Sequence, residues 1–283
     1  MKPLSEAILV VCGIVRNAER GLKRNIPIIK TLCGMAKDYH VVVYENDSKD
    51  NTKSLLESWY LMDTDRIHIS MNDMGSSASI PNRKKTLSNP FFCKERINRM
   101  AELRNYYMDY INKRNWMADY LIVVDLDVAQ LHLEGILNSF ESKVEWDAVI
   151  ANGYSTSPKL CRRYHDTYAL CMFDDQNNPQ TEEKIKLLAE RLGKLNTSDD
   201  WRRVASGFGG LAIYRYEAVK GLRYIVLPNQ DNKVEVKCEH FSIYTQMQRR
   251  GFNRFYINPA MTLQYQKLTL QIIWSSLKRK FYS

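Results

Sequence analysis

Apolar residues in this chain fall into two kinds of stretch: short unbroken runs, and longer segments where they recur every third or fourth position. Residues 7–15 (Ala-Ile-Leu-Val-Val-Cys-Gly-Ile-Val) form the first run. Apolar on both faces, the run reads as a fully buried strand. Residues 22–36 then carry apolar side chains at helical spacing (Ile26, Ile29, Leu32 and Cys33), with Gly34 near the end. Residues 39–44 are the next strand. Glu45-Asn-Asp-Ser-Lys-Asp-Asn-Thr52 is a polar turn rich in helix-capping types, and Leu55, Leu56 and Trp59 form one face of the helix it opens. Residues 66–70 are a third short strand. Strands alternating with helices in this way predict a mostly parallel central sheet flanked by helices, an α/β fold.

Residues 71–90 are polar and basic at Arg83, Lys84 and Lys85, and are expected to form a long loop. Residues 94–113 give the strongest helical pattern, with Ile97, Met100, Ala101, Leu103, Tyr107 and Ile111 as the stripe. The run Tyr120-Leu-Ile-Val-Val124 follows and ends abruptly in Asp125-Leu-Asp127. Beyond it the pattern predicts a helix over 131–140, a strand over 146–151 and a turn-like segment over 153–158. A surface helix follows at 179–194, then a glycine-rich loop entering a strand over 206–214. The last elements are a helix over 239–249, a short strand over 255–258 and a basic amphipathic tail over 267–283. No repeat or linker interrupts the chain, so one domain is expected.

The paired carboxylates change the picture most. Residues two apart on a strand point to the same side, so Asp125 and Asp127 converge at the strand's carboxyl end. In open α/β sheets that end is where ligands bind. Two unpaired carboxylates so close repel each other and desolvate badly. A hard divalent cation, Mg2+ or Mn2+, resolves the conflict. The bland alternative is that one Asp caps the next helix and the other is solvated. Net charge of +9 favours an acidic partner: a nucleoside diphosphate, an anionic membrane or a nucleic acid. Lys and Arg are spread along the whole chain, which weakens a nucleic-acid-binding reading. A sugar-phosphate nucleotidyltransferase would need a glycine-rich basic loop after the first strand, and Gly13-Ile-Val-Arg-Asn17 does not supply one. The six cysteines form no Cys-x-x-Cys pair, which argues against zinc and against a disulfide scaffold. Reduced thiols and a cytoplasmic setting are expected. No apolar stretch is long enough to span a bilayer.

Several motifs stand in a fixed order: Val15-Arg-Asn17, the acidic turn 45–52, Ala101-Glu-Leu-Arg-Asn105 and the Asp125-Leu-Asp127 strand end. Together they resemble the GT-A glycosyltransferases. The later segments Tyr164-His-Asp-Thr-Tyr-Ala169, Gly207-Phe-Gly-Gly-Leu-Ala-Ile-Tyr214 and Cys238-Glu-His240 are similar to a narrower group, the fungal capsule-type mannosyltransferases and the GT-A domains of large algal viruses. The resemblance covers residues 7–259 and implies a single GT-A, Rossmann-like domain over 1–266. Its donor half is about 1–128 and its acceptor half about 129–266. The activity implied is transfer of a sugar from a UDP- or GDP-sugar to a hydroxyl of a glycan or glycolipid, with Mn2+ or Mg2+.

The resemblance also assigns roles. Asp127 would ligate the metal, with Asp125 as second ligand or contact to the ribose. Arg16, Asn17, Glu45, Asn46, Asp47, Arg104, Asn105, Asp125, Gly209 and Gly210 would bind the donor. Asn46 stands where the family usually has a carboxylate, which leaves the base open. Glu239 would be the general base, since a carboxylate can take the proton as the bond forms. His240 is the alternative base or a third metal ligand. On the acceptor side, Asp166 would hold a sugar hydroxyl, against an ion pair with Arg162 or Arg163. Trp201 would stack on a sugar ring, against simple packing. Over 268–283, Ile272, Ile273, Trp274 and Leu277 followed by Lys278, Arg279 and Lys280 fit either peripheral membrane contact or a docked terminal helix.

Overall fold

The computed structural model describes residues 1–75, 90–114, 116–157, 161–266, and 269, 270 and 274. The strands and helices run in the order β1 (Ile8–Val15), α1 (Glu19–Gly34), β2 (Asp38–Glu45), α2 (Thr52–Tyr60), β3 (Ile67–Met71), α3 (Lys94–Lys113), β4 (Tyr120–Val124), β5 (Gln130–Leu131) and α4 (Leu133–Glu141). They continue with β6 (Ala148–Thr156), β7 (Arg162–Tyr164), β8 (Cys171–Met172), α5 (Glu182–Leu192), β9 (Arg202–Ser206), β10 (Leu211–Arg215), α6 (Tyr216–Val219), α7 (His240–Arg249) and β11 (Phe255–Gln266).

One sheet runs through the molecule in the order β3-β2-β1-β4-β10-β6-β11-β9-β8, with β5 on β11 and β7 on β6. Its first four strands are parallel. β10 enters antiparallel between β4 and β6, and β6 pairs parallel with β11. Alternate residues of the apolar strands feed opposite faces. Val10, Cys12, Leu121 and Val123 join α3 and α7 on one side. Leu9, Val11, Ile122 and Val124 join α1, α2 and α4 on the other. Helices on both faces explain why these strands are apolar without alternation. The α/β class expected from the pattern is the one observed.

Three expectations fail in the second half, each for a local reason. Residues 153–158 were expected to turn, but β6 continues to Thr156. Gly153 is there for close approach: a Cβ on it would lie 1.9 Å from the Gly209 carbonyl oxygen. The strand expected to stop at 258 continues to Gln266 across a register shift between Asn258 and Thr262. Pro259 sits in that irregularity, where a missing N–H costs little. The Asn258 side chain accepts from the Ala260 N–H (3.0 Å), and Asn152 donates to the Pro259 carbonyl (3.0 Å). β9 was not expected at all, because it opens on two exposed arginines. The Arg83–Lys85 run, and all of 268–283 except residues 269, 270 and 274, lie outside the described residues, as do the loop and membrane readings placed on them. Among the described residues no helix is long and apolar enough to cross a membrane.

Candidate active site

A cleft of about 740 Å³ opens at the carboxyl ends of β1, β2 and β4. The segment Asp125–Asp127 forms its floor and is pinned from both sides. The Asp125 N–H donates to the Gly210 carbonyl at 2.9 Å. The Asn25 side chain donates to the Leu126 and Val128 carbonyls at 3.0 and 2.9 Å. Gly21 lets α1 press against this segment, since a Cβ there would lie 2.5 Å from the Asp127 Cα. Leu126 is buried below, leaving Asp125 half-buried and Asp127 exposed into the cleft. Burial and the like charges of Asp127 and Glu239 push Asp125 up to about 7, against the opposing pull of Arg104. Asp127 is raised too, chiefly because the cleft walls around it strip away water.

The second wall is a buried ion pair. Arg104 is only 4 % exposed. Its Nε donates to Glu239 Oε1 at 2.9 Å, and its Nη2 lies 3.7 Å from Asp125 Oδ1. The guanidinium lies over Phe208, 4.9 Å from the ring centroid. Burial disfavours its charge, but Tyr107, Glu239 and Asp125 outweigh that and keep it a cation. Its Nη1 has no partner, an unspent donor in the residue that joins the two acidic groups. Glu239 is 3 % exposed. Burial pushes its pKa up, but the His240 ring and Arg104 hold it at about 2. His240, 1 % exposed, stacks on Phe208 (4.1 Å, 16°), and neither ring nitrogen has a hydrogen-bond partner, Nε2 lying 3.7 Å from Glu239 Oε1. Burial and Arg104 drive it down to about 3, so the ring is neutral at neutral pH.

The acidic turn is built from its own side chains. Glu45, fully buried, accepts the Ser48 N–H at 2.7 Å. Asn17 accepts the Lys49 N–H at 2.8 Å, and its own N–H reaches Ser48 Oγ at 2.9 Å. Asp47 accepts from the Asn46 amide and the Gly75 N–H, each at 3.0 Å. The Asn46 hydrogen bond is the main force holding Asp47 low. Asn46 itself lines the cleft, aimed by Asp47.

Of the residues singled out in the sequence, the cleft gathers Arg16, Asn46, Arg104, Asp125, Asp127, Asp166, Glu239 and His240. The others stand elsewhere. Asn17, Glu45 and Asp47 are spent on the turn. Asn105 clamps the Tyr224 backbone with both side-chain atoms (2.9 and 2.8 Å). Gly209 and Gly210 form a left-handed turn (φ 62° and 91°) behind Phe208. Trp201 packs edge-on against Tyr256. The ion pair weighed for Asp166 is absent: Arg163 pairs with Glu190 at 3.3 Å, and Arg162 lies over the Tyr154 ring. The cleft adds Arg96, Arg99, His165, Tyr168, Phe208 and Tyr265. Arg96 and Arg99 were legible in principle: with Arg104 they make a polar stripe on α3 at helical spacing. Tyr265 was not, because its strand was expected to end at 258.

Among the described residues no group of three or more His, Cys, Asp or Glu is placed to hold a metal ion. The donor set is two carboxylates, Asp125 and Asp127. Two such oxygen donors fit a hard cation that takes its remaining ligands from water and a diphosphate.

Paired carboxylates and a buried arginine meet at the carboxyl ends of parallel strands, where open α/β sheets bind their ligands. The chain belongs to the family described as Cryptococcal mannosyltransferase 1, whose model matches residues 19–243, well over half of it. No curated protein matches the sequence. Among solved structures it is similar to the mannosyltransferase PcManGT from Pyrobaculum calidifontis in complex with GDP-Man and Mn2+. The identity is 13 % and the TM-score 0.49, covering 98 % of this chain and 63 % of that one. It is also similar to S. aureus TarS 1–349 in complex with UDP-GlcNAc, at 12 % identity and TM-score 0.46, covering 94 % of this chain and 60 % of that one. The chain thus spans less than two thirds of either structure.

Proposed function

We propose that this protein transfers a sugar from a nucleoside diphosphate sugar, a UDP- or GDP-sugar, to a hydroxyl of a glycan or glycolipid. The donor half is taken as about residues 1–128 and the acceptor half as about 129–266. The observation that carries the reading is Arg104, a buried cation that lines the cleft beside Asp125 and Asp127. Asp125 and Asp127 would hold Mn2+ or Mg2+, which when bound neutralises charge on the leaving diphosphate. Arg16 and Arg104 add positive charge where that charge grows, in a cleft walled by protein, where electrostatics act strongly. Asn46, held by Asp47, faces the nucleoside with an amide that both donates and accepts.

A thermal-shift series tests the reading. Purified protein is heated with GDP, UDP, CDP and ADP, each with and without Mn2+, and again as Asp127→Asn. A ligand at a hundred times its Kd adds about 2.7 kcal/mol of stability. One diphosphate is expected to stabilise only with metal, and the substitution to abolish the gain. Stabilisation by none of them at saturation refutes the reading.

A further inference from the structure

Arg16 and Asn46 line the cleft from the ends of β1 and β2. On the other side of β4 in the sheet lie β6 and β11, with β7 paired to β6. Three cleft residues there, on β11, after β7 and at the outer end of α3, have polar groups that the fold does not use. Tyr265 is the first. Its backbone carbonyl accepts the Ala129 N–H at 3.0 Å, which sets it beside the Asp125–Asp127 segment. The His165 ring stacks on it (3.5 Å, 13°) and fixes its plane. His165 is itself tied down, its N–H donating to the Gly153 carbonyl at 2.8 Å. Tyr265 lines the cleft, and among the described residues its hydroxyl has no hydrogen-bond partner.

Asp166 follows β7 in a left-handed conformation, φ 62°. It lines the cleft half-exposed, and among the described residues its carboxyl has no hydrogen bond and no ion pair. Arg96 enters from α3, about 12 Å of helix axis outward from Arg104. One of its N–H groups is held by the Phe91 carbonyl at 3.1 Å. Among the described residues no carboxylate pairs with the rest of the fork. The charges of Asp166 and Arg96 act on each other and on the Tyr265 hydroxyl, so the three surround one space. No ion pair closes the gap between Asp166 and Arg96.

That gap has a definite chemistry. A guanidinium only donates hydrogen bonds and a carboxylate accepts them, whereas a hydroxyl does both. Two neighbouring hydroxyls can therefore bridge the two side chains, one donating to Asp166 and the other accepting from Arg96. A lone alcohol would satisfy one group and leave the other dehydrated without a partner, which is costly. The fixed Tyr265 ring adds a rigid surface for the apolar face of a sugar.

We propose that Arg96, Asp166 and Tyr265 form the acceptor subsite, and that it takes a sugar residue through two adjacent hydroxyls. The proposal rests on the glycosyl-transfer reading of the cleft and narrows the acceptor from any hydroxyl to that of a sugar. Here Asp166 is a hydrogen-bond partner that orients the acceptor.

The test is nucleotide release from the sugar nucleotide that stabilises the wild-type protein, with the acceptor concentration varied. The acceptors are methyl glycosides of mono- and disaccharides, the same glycosides with single hydroxyls removed, octanol and a serine amide. At least one methyl glycoside is expected to accelerate release. Loss of a hydroxyl next to the one attacked should raise its KM, and the two plain alcohols should do nothing. Arg96→Met, Asp166→Asn and Tyr265→Ala are each expected to raise the KM for that glycoside about tenfold or more, the usual worth of a hydrogen bond to a charged group. The donor KM and the donor-induced Tm shift should stay within about twofold of wild type. Asparagine tolerates left-handed backbone, so Asp166→Asn keeps the loop. Tyr265→Phe keeps the ring and should restore most of what Tyr265→Ala loses. An acceptor KM within about threefold of wild type in Arg96→Met overturns the proposal, as does a donor KM that rises as much as the acceptor KM. A wild type that binds the donor yet releases nucleotide to no glycoside, or faster to octanol than to any of them, overturns it too. Failure to bind any sugar nucleotide removes the underlying reading instead, and the donor-induced Tm shift tells the two apart.

Discussion

Arg104 can be removed while its partner stays, and the cost can be worked out beforehand in two ways. Arg104→Leu leaves Glu239 as a buried carboxylate without its counter-charge. Breaking one side of a buried ion pair costs about 3–5 kcal/mol. The second route uses linkage. Glu239 titrates at about 2 in the folded protein against an ordinary 4.5. At about 1.4 kcal/mol per pKa unit, that depression is worth about 3 kcal/mol near neutral pH. The His240 ring and Arg104 share that depression, so it sets the scale of the loss rather than the share of Arg104 alone.

The sign follows from the direction of the shift. A depressed carboxylate stabilises the fold above its unfolded pKa, and the contribution is lost as pH falls from about 4.5 towards 2. Without Arg104 the shift reverses, because burial alone raises the Glu239 pKa. The variant should then be most destabilised at neutral pH and close the gap with wild type as the pH falls towards 5. Urea titrations followed by tryptophan fluorescence, at pH 7.5 and pH 5.5, measure both effects. Arg104→Leu/Glu239→Leu is the control. With both charges gone no orphan is left, and the double variant should be more stable than Arg104→Leu alone. A single variant within about 1 kcal/mol of wild type at pH 7.5, or a gap that widens at low pH, refutes the reasoning.

Two further outcomes follow from the same electrostatics and packing. Asp125 is raised to about 7, so its ionisation costs folding free energy, and stability is lost as pH climbs through 7. Without metal, Asp125→Asn should be more stable than wild type at pH 8 by at least about 1 kcal/mol, and the difference should shrink at pH 6; urea midpoints at the two pH values decide it. Trp201 packs on Tyr256 away from the cleft, so Trp201→Ala should lower the Tm while leaving the donor KM within about twofold of wild type; a large rise in KM would place the ring at the substrate.

The parallel half was readable because its signal is redundant. β1, β2 and β4 are apolar on both faces, and the stripe on α3 marks the helix observed, Lys94–Lys113. The second half was harder for reasons tied to particular residues. Gly153 reads as a turn but marks a backbone crossing. Pro259 reads as a stop but sits in a bulge. Arg202 and Arg203 hide a strand whose burial begins only at Val204. The site divides the same way. Asp125 and Asp127 stand out because they end an apolar run. The pairing of Arg104 with Glu239 joins residues 135 positions apart, which no local pattern encodes. Residues that shape the acidic turn could not be told from residues that face the cleft, because both are polar and adjacent. Only the fold separates Asn46, which lines the cleft, from Asn17 and Glu45.

Backbone strain supplies the last distinction. Among the described residues three that are not glycine adopt left-handed backbone: Asn17, Asp47 and Asp166. Each costs roughly 1–2 kcal/mol relative to ordinary conformations, less for Asn and Asp than for other types. For two of them the return is visible. The Asn17 side chain accepts the Lys49 N–H, and Asp47 accepts the Asn46 amide and the Gly75 N–H, so each closes the turn that strains it. For Asp166 the return is in the backbone: its carbonyl accepts the Ala169 N–H at 3.1 Å, while among the described residues no hydrogen bond or ion pair meets its carboxylate. Strained residues cluster at working sites, and this one lines the cleft. In a cleft that already holds Asp125, Asp127 and Glu239, a fourth carboxylate also adds repulsion, and a fold under no other demand would shed it. What Asp166 provides is a half-exposed carboxylate in the cleft, set apart from Glu239, which Arg104 holds.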